Sequence, residues 1–265
     1  MTAVGGVTPA LDPVPRGWVR GAVRLAAIPA WTMMCWVCWL ATGVGAAGTR
    51  RREAMVRRWA RGMLSLLRIE VAVRGTPPRR PFLLVANHLS YLDVVVLMSL
   101  LDAVFVAKRE VRRWPMFGPL AHMLGTIFID RESMKDVLRV SAEVAQARAE
   151  GRGVVLFAEG TSSDGTRVLP LRPALLDVAA RGEWPVYAAS LSYHTAPDQP
   201  PPGQALCWWG SMTFLPHLAA VCRLPRARAR VTFSSRAVTA SDRKALAGGL
   251  HAALSRSFIP SGHES

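Results

Sequence analysis

The sequence predicts an α/β domain, a mostly buried mixed sheet flanked by helices, preceded by an N-terminal membrane helix. Three observations carry this expectation. Short apolar runs rich in β-branched residues recur between stretches of helical periodicity. Apolar residues make up 51% of the chain and charged residues 19%, which suits a large core and excludes a disordered chain. Residues 25–49 carry no charge and are bounded by Arg24 and Arg50, a run longer than the ~20 residues a helix needs to cross a bilayer core.

That first run sets the N-terminal third. Trp31, Trp36 and Trp39 fall broadly on one side of a helix, and Pro29, Gly43, Gly45 and Gly48 are residues a membrane helix tolerates. A secretory signal has a shorter apolar core that starts earlier. Cys35-x-x-Cys38 has redox or zinc spacing, but its neighbours are Met, Trp, Val and Leu, so the pair reads as apolar packing. With Cys207 and Cys222 it makes no disulfide framework, which suits a cytosol-facing domain. Arg16, Arg20 and Arg24 precede the run, and Arg50, Arg51, Arg52, Arg57, Arg58, Arg61 and Arg68 follow it. The positive-inside rule then places the C-terminal side in the cytoplasm. Residues 50–68 interleave these arginines with Met55, Val56, Trp59, Met63, Leu64, Leu66 and Leu67, the pattern of a basic helix lying on anionic headgroups. The expected division is anchoring and interfacial helices over 1–68, the α/β domain over 69–258 and a C-terminal tail over 259–265.

Within the domain, strands are expected at 69–73, 81–86, 103–107, 126–129, 153–158, 185–193 and 229–234, and helices at 92–101, 134–150, 174–181, 212–223 and 241–257. The 134–150 helix is the best marked. Ser133 and Asp136 have capping-box spacing, and Val137, Val140, Val144 and Ala147 form a stripe. Residues 196–203 read as a Pro-rich loop. Strands alternating with helices give the sheet its two covered faces.

The chain has 33 Lys+Arg against 18 Asp+Glu, a net charge of +15, and 30 of the basic residues are Arg. Its mean hydropathy is +0.20. A basic, apolar chain expects an anionic partner: a membrane, a phosphorylated substrate or nucleic acid. The arginines between Arg223 and Arg230 have no interleaved aromatics and match no nucleic-acid motif, so no nucleic acid is expected. His122, His194, His217, His251 and His263 are scattered without ligand spacing, so no metal site is expected.

Three clusters at strand ends carry the chemistry. Asn87-His88-Leu89-Ser90-Tyr91-Leu92-Asp93 joins an apolar strand to an apolar helix. A tight turn there folds the Asp93 carboxylate onto one imidazole nitrogen of His88 and leaves the other free as a general base. Glu159-Gly160-Thr161-Ser162-Ser163-Asp164-Gly165 follows another strand with a loop rich in donors. Lys108 and Arg109 end a third strand and Arg131 a fourth, where a guanidinium fork suits carboxylate or phosphate. Taken singly, each has a plain structural reading: a core histidine, an ordinary turn, an arginine paired with Asp130 or Glu132.

Taken together, Asn-His-x4-Asp, Pro-x2-Gly-x6-Gly-x2-Phe-Ile-Asp-Arg and Phe-x-Glu-Gly-Thr, in this order, resemble the motifs of the glycerolipid acyltransferases over residues 80–195. The nearest branch is the 1-acylglycerol-3-phosphate O-acyltransferases and related lysolipid acyltransferases. The resemblance implies that 69–258 is an acyltransferase domain facing the cytoplasm from the inner membrane. It implies His88 as general base and Asp93 as its orienting partner, with the acyl group passing directly from a thioester to a lysolipid hydroxyl. Lys108 and Arg131 would hold an anionic group. Asn87, Glu159, Gly160, Thr161 and Ser162 would complete the substrate site. Trp184-Pro185-Val186-Tyr187 resembles a weaker fourth motif. No cofactor is implied; acyl-carrier protein or coenzyme A carries the acyl group as co-substrate.

The third motif in that family usually reads Phe-Pro-Glu-Gly-Thr-Arg-Ser, and here Ala158 and Ser162 replace the Pro and the Arg. The lost fork would cost ~1.5–3 kcal/mol of binding to a phosphate. The variant motif, followed by Arg167-Val168-Leu169-Pro170-Leu171, resembles a sub-branch that includes lyso-ornithine-lipid acyltransferases. The expected acceptor is therefore 1-acylglycerol-3-phosphate, held by Arg131 and Lys108 with Arg167 or Arg172 able to compensate, or else a lysolipid less dependent on phosphate. A serine hydrolase would need Gly-x-Ser-x-Gly, and Gly160-Thr161-Ser162-Ser163-Asp164 lacks the second Gly. A non-catalytic membrane scaffold would have no use for the His88–Asp93 pair.

Overall fold

The computed structural model of the chain describes residues 17–42, 45–109, 112, 125–130 and 134–264. Two long helices come first, α1 (Trp18–Leu40) and α2 (Gly45–Leu67). Then follow β1 (Ile69–Arg74), β2 (Phe82–Ala86), α3 (Leu92–Leu100), β3 (Ala103–Lys108), β4 (Ile127–Ile129), α4 (Met134–Ala149) and β5 (Gly153–Leu156). A 3-10 turn (Pro173–Leu176) leads into α5 (Asp177–Arg181), then β6 (Val186–Thr195), α6 (Pro202–Ala205), α7 (Phe214–Arg223), β7 (Ala227–Phe233), α8 (Arg243–Ser257) and β8 (Gly262–His263). The short α6 begins within the expected Pro-rich loop, at Pro202, and ends two residues beyond it. Of the expected capping box, Ser133 lies outside the described residues, and the Asp136 carboxylate accepts from Arg139 and the Asp130 N–H.

The sheet order is β1-β7-β6-β2-β5-β3-β4, with β8 added beside β6. Strands β6, β2, β5, β3 and β4 run parallel, while β7 is antiparallel to β6 and parallel to β1. The sheet is thus mixed, as expected. All five residues of β2 are buried, which a strand covered on both faces requires. Leu84 and Ala86 join the core beneath α1, α2, α3 and α7, while Leu83 and Val85 join the opposite core beneath α4, α5 and α8, the alternation of a strand.

The N-terminal region differs from expectation in three ways. The uncharged run is not one helix: α1 begins at Trp18, and residues 45–49 belong to α2. Still, α1 is long and apolar enough to cross a membrane. Arg24, expected to flank the membrane helix, lies inside α1 and is buried. Its guanidinium donates to the carbonyls of Cys222 and Leu224, at 3.1 and 2.5 Å, where α7 ends with unpaired acceptors. Finally, the apolar stripe of 50–68 does not lie on headgroups. Trp59, Met63, Leu64 and Leu67 are buried in the core shared with α3. An amphipathic stripe reads the same whether protein or lipid covers it.

α1 packs on α2 and α7 along its length. Trp31 Nε1 donates to the Trp59 carbonyl (3.0 Å), Trp59 Nε1 donates to Thr32 Oγ1 (3.1 Å), and the Arg52 guanidinium stacks 4.6 Å over Trp39. Cys35 is buried and Cys38 exposed, both free. Arg24→Ala should therefore release the first turns of α1 alone. Faster backbone hydrogen exchange over residues 18–28, with residues 82–86 unchanged, is the expected result.

Candidate active site

β2 and β5 are neighbours, but the chain leaving β2 crosses to β3 while the chain leaving β5 crosses to β6, on the other side. The helix after β2 joins one core and the helix after β5 the other. Between two such carboxyl ends lies the crevice where open α/β sheets bind ligands. Val85 stands in register with Leu156, and three residues beyond each lie His88 and Glu159. A separate cleft lined by Trp39, Arg52, Arg80, Asp102 and Arg152 opens at the opposite pole, by the amino ends of β3 and β5.

His88 Nδ1 lies 2.8 Å from Asp93 Oδ2. Asp93 sits in the first turn of α3 and is fully buried. The same oxygen accepts from the backbone N–H of Leu89 (2.6 Å) and Ser90 (3.0 Å), and Tyr193 donates its hydroxyl to Oδ1 at 2.7 Å. A carboxylate so supplied accepts only, so the proton between them sits on His88 Nδ1, and in the neutral imidazole this tautomer has its lone pair on Nε2. The Phe157 ring stacks on the imidazole, centroids 4.3 Å apart, and fixes its plane. No described residue is bonded to Nε2. Burial, with the Asp93 charge adding, pushes the Tyr193 phenol well above its ordinary range, so it stays a donor.

Glu159, expected in the substrate site, is only 3% exposed. Its oxygens accept from the backbone N–H groups of His88 (3.0 Å) and Leu169 (2.9 Å), so it fastens the loop after β5 to the turn after β2. Burial pushes its carboxyl up to about 8, with Asp93 adding and the two N–H donors opposing. Gly160 has φ +80°, and a Cβ there would stand 2.4 Å from Arg172 Nε, so glycine lets that guanidinium lie against the loop. Thr161 is exposed. Ser162 donates its hydroxyl to the Trp208 carbonyl, and the N–H groups of Ser163 and Trp208 donate to the carbonyls of His88 and Leu89. The loop holding Trp208 therefore walls the crevice. Tyr91 packs edge-on against Trp208 and Phe214. Its hydroxyl donates to His217 Nδ1 (3.1 Å), whose Nε2 donates to the Cys207 carbonyl (3.1 Å). Burial takes His217 down to about 4, so it stays neutral in this chain of bonds.

Asn87, also expected to bind substrate, faces away from the crevice. Its carboxamide donates to the Leu191 carbonyl (3.0 Å) and accepts from the Leu191 N–H (2.7 Å). A fully buried amide with both ends paired to backbone holds strands, not ligand. Lys108 ends β3, one strand beyond β5, and its side chain lies outside the described residues, as does all of Arg131. Arg109, beside Lys108, pairs with Asp130 at 3.6 Å. The sequence reading missed Tyr193 and the Trp208 loop. A signal for Tyr193 was present: alternation along β6 puts it on the same core face as Leu191, where a phenol needs a partner.

The Glu159 proton has a measurable consequence. Between about pH 4.5 and pH 8 the folded chain holds a proton that the unfolded chain releases. This contribution to stability is full below that window and is lost as pH rises through it. Glu159→Gln should lower the melting temperature, because an amide cannot accept at both ends. It should also flatten the decline in melting temperature across the window.

Comparison with known proteins bears on the family and the fold. Residues 68–192 match the family model Acyltransferase. The chain is 37% identical to a lyso-ornithine lipid O-acyltransferase of Rhizobium meliloti over 183 residues, 65% of this chain and 63% of that protein. It is 35% identical to a lyso-ornithine lipid O-acyltransferase of Pseudomonas aeruginosa, with 68% of each chain covered. The crystal structure of the 1-acyl-sn-glycerophosphate acyltransferase PlsC from Thermotoga maritima superposes with a TM-score of 0.64 at 15% identity, over 89% of this chain and 95% of that one, and shares the fold. With 35% identity to a curated acyltransferase over 68% of both chains, and the family match over residues 68–192, the chain belongs to the acyltransferase family.

Proposed function

We propose that this protein is a lysolipid O-acyltransferase in which His88 is the general base. The observation that carries the reading is the His88–Asp93 contact at 2.8 Å, with no described residue bonded to the opposite imidazole nitrogen. A lysolipid hydroxyl at Nε2 gives up its proton as its oxygen attacks the thioester carbonyl. The carbon–sulfur bond then breaks, and the thiolate takes the proton back from Nε2. The Asp93 charge stabilises the imidazolium between these steps. No covalent acyl-enzyme is required. Ser162 is bonded to the Trp208 carbonyl, and burial pushes the Cys207 thiol up, away from the thiolate form.

The first acceptor we propose is lyso-ornithine lipid, the acceptor named for two relatives. Ser162 supports this choice, since its bond to the Trp208 loop puts a hydroxyl and an aromatic wall where a guanidinium would grip phosphate. One observation favours 1-acylglycerol-3-phosphate as a second reading: the Arg172 side chain lies against Gly160, at the mouth of the same loop. Acyl-carrier protein and coenzyme A are both anionic and both suit a chain of net charge +15 as donor carriers.

We further infer that the enzyme works on the cytoplasmic face of the inner membrane with α1 lying in the plane of the bilayer surface. A helix of this length, about 34 Å, that is fastened at Arg24, Trp31 and Trp39 to the folded domain lies along it rather than standing out from it. Its outer side exposes Val19, Val23, Met33, Met34, Trp36, Val37 and Leu40, the apolar face of an interfacial helix. Arg50, Arg51, Arg58 and Arg61 of α2 are exposed and suit anionic headgroups.

The test is acyl transfer from a labelled thioester by the detergent-purified protein, with both acceptors offered. His88→Ala should lower kcat by the ~10²–10⁴-fold that a general base contributes. Ser162→Arg should shift the acceptor ratio toward 1-acylglycerol-3-phosphate by about tenfold or more, the scale of one charge-assisted bond. Transfer that persists at full rate in the His88 variant would remove the general-base reading. An unmoved ratio would show that position 162 does not select the acceptor.

A further inference from the structure

β6 is longer than the strand beside it. Its parallel pairing with β2 ends at Ala86, opposite Ala189, yet β6 runs on to Thr195. On that side, alternate residues 191, 193 and 195 offer backbone groups that β2 does not reach. Each is closed by another device. At Leu191 the Asn87 carboxamide supplies one donor and one acceptor, the pair a peptide group would give. At Tyr193 the backbone N–H donates to Ser261 Oγ (3.0 Å). At Thr195 the carbonyl accepts from the Glu264 N–H (2.7 Å), as β8 lies alongside. The segment 261–264, expected as a tail, is thus built into the sheet at the pole that holds His88.

Ser261 joins more than β6. Its N–H donates to the Gly165 carbonyl (2.8 Å), at the end of the loop that begins with Glu159. Gly165 has φ +82°, and a Cβ there would stand 2.6 Å from Ser261 Oγ, so the approach needs glycine. The Ser261 side chain also bonds the Cys207 thiol, next to Trp208. One serine therefore ties together the strand bearing Tyr193, the loop bearing Glu159 and the loop bearing Trp208.

We propose that Ser261 is a positioning residue of the active site, acting through Tyr193 on Asp93 and so on the ring of His88. The Tyr193 backbone is fixed by Ser261 Oγ, and the Tyr193 hydroxyl is one of the donors that orient the Asp93 carboxylate. A shift of the strand at residue 193 moves that donor. The carboxylate turns with it, and the imidazole is no longer aimed at the crevice. The inference rests on His88 as base, and the experiment separates the two.

The variants are Ser261→Ala, Ser261→Thr, Tyr193→Phe and the Ser261→Ala/Tyr193→Phe double, each in the full chain. Ser261→Ala keeps the backbone bond to Gly165 and the β8 pairing, so it tests the hydroxyl without removing the segment. Acyl transfer from the thioester should show kcat lower by roughly tenfold, within the ~10²-fold that a 1 Å misplacement costs. KM for donor and acceptor should stay within about twofold, and the acidic limb of the pH–rate profile should move. Ser261→Thr should restore the rate. The double variant should lose no more than Tyr193→Phe alone, because both act along one path. In protein carrying ¹⁵N-labelled histidine, the His88 ring resonances should change in Ser261→Ala and return in Ser261→Thr. A Ser261→Ala protein that melts lower but keeps kcat, pH profile and ring resonances would overturn the proposal and leave the segment as a strap. Absence of transfer in the wild type would overturn the proposed function instead, and the ring resonances would still decide the role of Ser261.

Discussion

One buried charge organises this molecule. Asp93 has no solvent exposure, and an ionised carboxylate in that position persists only if its oxygens are supplied with donors. The donors come from far apart in the chain: an imidazole and two peptide groups from the turn after β2, and a phenol from β6. Supplying them fixes the turn at the head of α3, keeps β6 next to β2, and requires β6 to extend far enough to bring Tyr193 level with the turn. Losing one hydrogen bond to such a buried charge costs on the order of 1.5–3 kcal/mol. The pole of the sheet that carries His88 is accordingly cross-linked by hydrogen bonds although it is built from loops.

The loops are tied together because residues that look like ligand-binding groups bond to other backbone segments. Glu159 clamps the turns after β2 and β5 through backbone N–H groups. Asn87 stands in for a missing strand residue, and Ser162 secures the wall formed around Trp208. These clamps leave Thr161 exposed, the exposed Arg172 beside Gly160, and His88 Nε2 with no described residue bonded to it. A short polar motif does not divide its residues between touching ligand and supporting the residue that does. Both tasks call for the same polar chemistry, and only the partners differ.

This explains what the sequence could and could not disclose. The strands and helices were legible because their apolar spacing is local, and β2, apolar at every position, was plain. The His88–Asp93 contact was legible because a turn of five residues can bring the two together on its own. Alternation along β6 marked Tyr193 as buried, but its partner and the Ser261 bond were not legible, since those bonds cross 100 and 68 residues. The helix over 50–68 was misread for another reason: protein core and lipid ask for the same stripe, and the deciding partner, α3, comes later in the chain. Arg24 was misread because a charge beside an apolar run looks like a flank until the unpaired carbonyls at the end of α7 are in view.

The overhang of β6 has a consequence of a different kind. A strand that outruns its neighbour leaves backbone donors and acceptors at a sheet edge, and such an edge recruits extended segments from other molecules. The carboxamide of Asn87, the hydroxyl of Ser261 and the short strand β8 occupy those places in turn. A chain in which these caps were absent would expose a strip of open ladder with Tyr193 at its centre, poised for strand exchange between copies. The same few bonds therefore guard solubility, by denying a second molecule its point of attachment.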